Sequence, residues 1–346
     1  MFSKNIGKWL EPTGPEADVV LSSRVRLARN IRGLLFPGHA SPAELESIVQ
    51  HCETALHRFS IYEPDLFVRN QELTPLRAGY LTERHLISPD FLRLNQHKAA
   101  FILGDETLSV MINEEDHLRL QVLASGLDLG PVLKELQTFD DALGGELGYA
   151  FSEQLGFLTA CPTNVGTGLR ASVLIHLPGL VLSREIDKIL RGALQVGLAV
   201  RGLFGEGTET KGNLFQISNQ VTLGKSEEEI VEGVAKTTQD IIGYERKMRD
   251  YLLEKLKPEV EDKVFRADAV LRSARLLSSA EATNLLGVLR LGVTTGLLPK
   301  PDLRTLNELL ILCRPSNLQV YFDQEMPSQE RDARRAELVR ARLLSV

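Results

Sequence analysis

Apolar residues recur along this chain with two different periods. From Ser41 to about Phe59, and from Ser226 to about residue 256, they return every three to four positions, which predicts amphipathic helices. Both stretches open on a capping box, Ser41-Pro42-Ala43-Glu44 and Ser226-Glu227-Glu228-Glu229, the first with proline where a helix loses nothing by its missing N–H. Ser278-Ser279-Ala280-Glu281 predicts a third helix start. Between these lies a strand pattern. Phe101–Leu103 and Leu108–Ile112 flank Gly104-Asp105 as a hairpin would, Leu118–Leu123 alternates, and Ala171, Val173, Ile175 and Leu177 share one face of a period-two run. Beyond Pro258 the pattern is helical throughout, with breaks near Gly296, Pro299, Pro301 and Pro315. The expectation is an α+β chain: an antiparallel sheet flanked by helices over residues 1–252, then an all-α C-terminal domain over residues 253–346.

Composition narrows the class. The 346 residues are 43% hydrophobic and 25% charged, a soluble globular mix long enough for two domains. Cys52, Cys161 and Cys313 show no metal-ligand spacing and leave at least one thiol unpaired, so a reducing cytoplasm is the expected setting. MFSKNIGKWLEP holds no apolar run suited to a signal peptide, and no stretch of about 18 apolar residues suggests a membrane span. A formal charge of −6 argues against direct nucleic-acid binding. Arginines nevertheless cluster in SSRVRLARN and RDARRAELVRAR, a pattern suited to compact anions.

Familiar nucleotide motifs fail. Gly224-Lys225-Ser226 resembles the end of a P-loop, but the required first glycine falls on Asn219, which leaves Ser226 as a helix cap. Gly166-Thr167-Gly168-Leu169-Arg170-Ala171 fits a loose dinucleotide pattern yet leads into a strand, with no helix N-terminus to meet a pyrophosphate. There is no HRD, DFG or VAIK set.

Four polar segments remain. They are Val20-Leu21-Ser22-Ser23-Arg24-Val25-Arg26, Asn113-Glu114-Glu115-Asp116-His117-Leu118-Arg119, Cys161-Pro162-Thr163-Asn164-Val165-Gly166-Thr167-Gly168-Leu169-Arg170, and Arg201-Gly202-Leu203-Phe204-Gly205-Glu206-Gly207-Thr208-Glu209 running on to Asn219. Arg24 and Arg26 alternate, so on a strand they share a face. Taken singly each segment has a plain reading: a surface ion pair, a solvated turn, a small packed cysteine, a flexible loop. In this order, over residues 18–250, the four resemble the ATP:guanido phosphotransferases, the family of creatine and arginine kinases, and the continuation GNLFQISNQVTLGKSEEE resembles its bacterial protein-arginine kinase branch.

That resemblance implies a catalytic domain with the antiparallel sheet shared by phosphagen kinases and glutamine synthetase. It implies ATP as phosphoryl donor, with Mg²⁺ carried by the nucleotide and no metal ligand from the protein. By position, Ser22, Arg24, Arg26, Arg119, Arg170 and Arg201 match the ATP and phosphate contacts. Glu115 matches the catalytic carboxylate, Glu209 the second carboxylate on the guanidinium, and Cys161 the reactive cysteine beside it. In the C-terminal domain Arg331, Asp332, Arg335 and Ala336 match an RDxxRA motif implicated in allosteric phosphoarginine binding, and Arg331 and Arg335 share a helical face. The small-molecule members carry a helical domain ahead of SSRVR; here that segment begins near residue 20, so an open acceptor site and a protein substrate are expected. The branch also implies a homodimer, a zinc-binding activator protein, and marking of substrates for a Clp-type protease in the stress response. Phosphorylation of free arginine or another small guanidino compound is the nearest alternative. A silent arginine-binding adaptor and a DNA-binding regulator are more distant ones.

Overall fold

In the computed structural model, residues 6–58, 66–92, 97–202 and 210–344 are described. Two halves of one antiparallel sheet meet at strand β1 (Val20–Arg29). On one side it pairs with β5 (Leu118–Ser125), followed outward by β4 (Leu108–Ile112), β3 (Ala99–Ile102) and β2 (Leu66–Arg69). On the other lies β8 (Leu169–His176), then β10 (Leu214–Asn219) and β9 (Leu198–Gly202). A two-residue hairpin, β6 (Phe151–Ser152) with β7 (Gly156–Phe157), stands apart from this eight-stranded sheet.

The apolar alternation read from the sequence decides which face is covered. Val25, Leu27, Leu120, Val122, Ala171, Val173 and Ile175 point into one core. Three helices close it: α1 (Pro42–His57), α3 (Leu129–Leu147) and the 29-residue α6 (Glu227–Lys255). Both capping boxes form as expected, Ser41 with Glu44 and Ser226 with Glu229. The short helices α2 (Pro75–Glu83), α4 (Pro178–Leu182) and α5 (Ile186–Gln195) fill the edges.

The chain from residue 257 onward is helical: α7 (Lys257–Ser273), α8 (Ser279–Thr294), α9 (Leu303–Leu312), α10 (Pro315–Phe322) and α11 (Ser328–Leu344). Their core, built on Leu271, Leu286, Leu306, Leu309 and Val339, also takes in Leu21, Leu174 and Leu214 from the sheet. Buried polar bonds tie the same helices to the N-terminal half. Arg290 donates to the Ala17 carbonyl at 2.6 Å, Asn307 to that of Leu10 at 2.7 Å, and Arg84 to Asn317 at 2.7 Å. At Gly212, which holds φ +68°, the backbone N–H donates to Asn284 on α8 at 2.8 Å. A methyl group on Gly287 would lie 2.4 Å from the Gly212 carbonyl oxygen, so only glycine permits this approach of α8 to the root of β10. Among the described residues no helix is long and apolar enough to cross a membrane.

Candidate active site

The arginines share the sheet face opposite the α1–α3–α6 layer. On β1, Arg26 lies opposite Arg170 of β8 and Gln121 of β5, while Arg24 lies opposite Ser172. Arg119 faces Ala28 across the β1–β5 ladder, and Arg201 faces Gln216 across β9–β10. Directly opposed like charges destabilise a sheet, so this register works against folding. The cluster has few counter-charges. Arg119 bonds both oxygens of Glu114 at 2.9 Å, and among the described residues it is the one member of the five arginines ion-paired to a carboxylate. Arg24 has only neutral acceptors, Ser172 at 3.4 Å and Gln216 at 3.2 Å, and Arg170 donates to Ser218 at 3.2 Å. The Nε atoms of Arg26 and Arg170 are buried without a hydrogen-bond partner.

The electrostatics follow. Burial, then the charges of Arg119 and Arg170, pushes Arg24 down to about 9. Burial, then Arg24, Arg119 and Arg170, drives Arg26 well below its ordinary value. Arg170 is lowered by burial and by Arg201 and Arg119. A guanidinium keeps its proton in proteins, so these directions report how poorly the cluster tolerates its own charge. A polyanion with several acceptor oxygens would satisfy both the charge and the orphaned N–H groups.

All five arginines line a single cleft of about 310 Å³ together with Glu114, Glu115, Asp116, Cys161, Thr163 and Asn164. The acids come from the turn between β4 and β5, where Asn113 takes φ +56° and hangs by its amide from the Leu45 and His97 carbonyls. The three acids have different surroundings. Glu114 is held below the usual carboxylate range: burial opposes its ionisation, but Arg119 and a short bond from Ser88 outweigh it. Asp116 accepts from Asn30 and the Ala160 N–H, both at 2.6 Å, and so pins the approach to Cys161. Glu115 is exposed at the cleft, and its pKa is raised by partial desolvation first and then by Asp116 and Glu114. Cys161 lines the cleft with it, and the Cys161 sulfur lies 3.0 Å from Thr163 Oγ1. His117 braces the turn as a neutral imidazole: Nδ1 accepts the Ile31 N–H at 3.0 Å, which leaves Nε2 to donate to the Leu35 carbonyl at 2.9 Å. Burial lowers its pKa in keeping with that role.

The loop bearing Cys161 is fixed from behind. Thr222 Oγ1 donates to the Thr163 and Val165 carbonyls at 2.9 and 2.7 Å. Buried Arg29 donates to the Thr167 carbonyl at 2.7 Å, pairs with Asp140 at 2.7 Å and stacks 3.6 Å from the Phe157 ring centre. Gly168 holds φ +66°, and a Cβ there would lie 2.6 Å from the Ala28 carbonyl oxygen, so glycine lets this loop join β8 beside β1.

Of the residues singled out from the sequence, Arg24, Arg26, Arg119, Arg170, Arg201, Glu115 and Cys161 converge in the cleft. Ser22 does not line it. This residue is buried in a narrow adjoining recess with Arg24, His85, Leu123, Ser172, Leu174 and Gln216. Glu209 lies outside the described residues. In α11, Arg331 is half-buried and donates to the Met326 carbonyl at 2.8 Å. Arg335 is 1% exposed and gives its donors to the Cys313 and Leu277 carbonyls and to Asp332, each at 2.6 Å. Ala336 is fully buried. The two arginines share a helical face as expected but not an environment: Arg335 is spent inside the fold, and only Arg331 and Asp332 reach solvent.

The sequence left two further groups unassigned. Glu114, the counter-ion of Arg119, was masked by its acidic neighbours. His85 sits at φ +61° after α2, pushed down to about 3 by burial and then by Arg24, Arg314 and Arg26. It lines a second basin of about 420 Å³ with Ile87, Met111 and Gln121, which shares Arg24, Arg26 and Arg119 with the main cleft. No local pattern around His85 could announce this. Among the described residues no group of three or more histidine, cysteine or acidic side chains could hold a metal ion.

The chain is similar to known proteins along its whole length. The pattern of the ATP:guanido phosphotransferase C-terminal catalytic domain matches residues 47–248, and that of the protein-arginine kinase McsB C-terminal domain matches residues 257–346. A protein-arginine kinase from Symbiobacterium thermophilum is 48% identical over 347 residues, covering 99% of this chain and 98% of that protein. One from Halalkalibacterium halodurans is 46% identical over 344 residues, covering 99% and 96%. Among solved structures, a lombricine kinase superposes with a TM-score of 0.60 at 26% identity, over 70% of this chain and 72% of that one. A duplicated taurocyamine kinase from Schistosoma mansoni, bound to transition-state-analogue components, gives 0.61 at 26% identity over 71% of this chain and 37% of its own length. With the catalytic pattern, the C-terminal pattern and the full-length relatives in agreement, the chain belongs to the protein-arginine kinase branch of the ATP:guanido phosphotransferase family.

Proposed function

We propose that the cleft transfers the γ-phosphoryl group of ATP to the guanidinium of an arginine side chain presented by another protein. One observation carries the reading: five arginines, only one of them ion-paired to a carboxylate among the described residues, share one cleft with a carboxylate of raised pKa. Arg24, Arg26, Arg119, Arg170 and Arg201 take the triphosphate, and the His85 basin takes the sugar and base. Mg²⁺ carried by the nucleotide would supply further charge neutralisation there, with the five arginines holding the triphosphate. The acceptor guanidinium lies against Glu115 and Cys161, with Glu209 as the second carboxylate by resemblance.

Glu115 cannot deprotonate arginine in advance. With a guanidinium pKa near 13.8, that step costs about 9 kcal/mol at pH 7. The acceptor nitrogen therefore attacks while its proton passes to Glu115: the N–P bond forms, the bond from Pγ to the bridging oxygen breaks, and ADP leaves. The raised pKa of Glu115 favours this by making the carboxylate a better base. Cys161, in the same cleft, borders the acceptor guanidinium beside Glu115.

The reading is tested by ³¹P NMR of the enzyme with Mg-ATP and either an arginine-rich protein such as casein or free arginine. It predicts an acid-labile phosphoramidate signal on the protein and none on free arginine, with the rate falling by roughly 10²–10⁴ in Glu115→Gln. Phosphate on hydroxyl groups, or on free arginine alone, contradicts it. A pH series adds a second check. Glu115 acts as a base only when ionised, and its folded pKa is raised, so kcat/KM should fall on acidification at a pH above the ordinary carboxylate value of about 4.3. A profile flat down to that value would remove Glu115 from the role.

By resemblance, we also assign phosphoarginine binding to the RDxxRA motif, with a division of labour. Arg331 and Asp332 contact the ligand, while Arg335 holds α11 against α8 and α9 through Asp332 and the buried carbonyls. Arg331→Ala should abolish the response of activity to added phosphoarginine at unchanged melting temperature. Arg335→Ala should cost about 2–4 kcal/mol of stability, because it leaves two buried carbonyls unpaired. A full response in Arg331→Ala removes the contact. A cytoplasmic homodimer working with a zinc-binding activator and a Clp-type protease completes the proposed setting; co-purification from cells without any of these would contradict it.

A further inference from the structure

A kinase that phosphorylates an arginine within a protein must also accommodate the residues beside that arginine. The surface bordering the acceptor end of the cleft is therefore part of the substrate site, and here it is apolar on two sides. The loop from Cys161 to Gly168 separates two cavities. Cys161, Thr163, Asn164 and Gly168 face the catalytic cleft. Gly166 and Thr167 face a groove of about 510 Å³ whose walls include Phe151, Leu155 and Phe157 of the β6–β7 hairpin and Leu223, with Lys225, Glu227 and Glu229 at the start of α6 as its polar border.

The groove is built rigidly. Phe157 is anchored over the Arg29 guanidinium and pairs with Gly166 through the backbone, while Phe151 stacks edge-on against it at 5.2 Å. The hairpin thus half-buries the Phe157 ring and leaves Phe151 and Leu155 54% and 47% exposed, facing Leu223 at 51%. On the other side of the acceptor end, His117 braces the turn bearing Glu115 by bonding to the Leu35 carbonyl. Leu34 and Leu35 are 41% and 55% exposed there. Scattered apolar side chains are ordinary on protein surfaces. These five differ in standing on three segments that brace Glu115 or Cys161: 34–35, the β6–β7 hairpin, and 222–223. A charged acceptor hole with apolar flanks complements an extended chain in which an arginine has large apolar neighbours. Such segments are buried in folded proteins and exposed in unfolded ones.

We infer that the groove walled by Phe151, Leu155 and Leu223 binds an apolar side chain next to the target arginine, so that the enzyme prefers arginines with large apolar neighbours. This rests on the assignment of Glu115 and Cys161 to the acceptor end. The occupant is the substrate segment itself, because the loop that walls the groove also walls the acceptor site.

The test uses two synthetic peptides, each with a single arginine, flanked in one by leucine and phenylalanine and in the other by serine and glycine. Wild-type enzyme should show a KM about tenfold lower for the apolar peptide, the effect of partly burying one large side chain. Leu155→Ser and Leu223→Ser should each raise that KM toward the polar-peptide value, leaving kcat and the polar peptide unaffected. Leu35→Ser checks the opposite flank. No preference in the wild type, or variants that slow both peptides equally, overturns the proposal. So do variants that change only self-association or the response to another protein, since the groove would then serve a second copy or a partner. Failure of the acceptor assignment reads differently: Glu115→Gln would retain activity whatever the peptide preference.

Discussion

The structure depends on an arrangement that folding alone would not select. The antiparallel register sets Arg26 directly opposite Arg170, with Arg24 and Arg119 close by, on the sheet face turned away from α1, α3 and α6. Like charges packed at this density repel, and burial denies them water. The fold tolerates them because the other face is a continuous apolar layer under α1, α3 and α6, and because Glu114 neutralises one member of the group. In the proposed reading a triphosphate supplies the missing acceptors and relieves the repulsion, so binding would draw on strain already present. Preorganised charge of this kind is the main resource available to a phosphoryl-transfer enzyme, where little covalent work falls to the protein.

The acceptor end answers with the opposite charge and with bracing rather than mobility. Asp116, His117 and Asn113 make no contact with the chemistry in this account. They hold the turn so that Glu115 stands beside Cys161, while Arg29, Thr222 and Gly168 hold the cysteine loop from behind. The C-terminal helices reach the same sheet through Leu21, Leu174 and Leu214, and α8 meets the root of β10 at Gly212. Since β10 supplies Gln216 to Arg24 and Ser218 to Arg170, the packing of those helices bears directly on where the arginines sit.

Much of this was legible in the sequence, for identifiable reasons. Period-two alternation at Ala171–Leu177 and capping boxes at Ser41 and Ser226 are local signals, and the elements formed where they predicted. The motifs around Arg24, Glu115, Cys161 and Arg201 are long enough to be specific, and the fold brings those residues together. Contributions that arise only from tertiary contact were not legible. Ser22 belongs to a site motif, but its side chain falls into an adjoining recess. His85 has no pattern around it and enters the second basin only because α2 ends in a left-handed turn beneath the arginines. Arg335 belongs to a motif that suggests a ligand contact, yet it lies inside the protein because Cys313 and Leu277 present carbonyls that need a donor.

The central claim is that the arginine face is kept at a cost to the free protein and repaid by ATP. Thermal unfolding of Arg26→Met, with and without ATP, tests it most directly. Replacing a buried, under-paired charge with an apolar side chain of similar length should raise the melting temperature of the free protein and shrink the stabilisation given by ATP. A free protein that melts lower than wild type, or one that ATP stabilises equally, would show that the cluster is not a strained anion site.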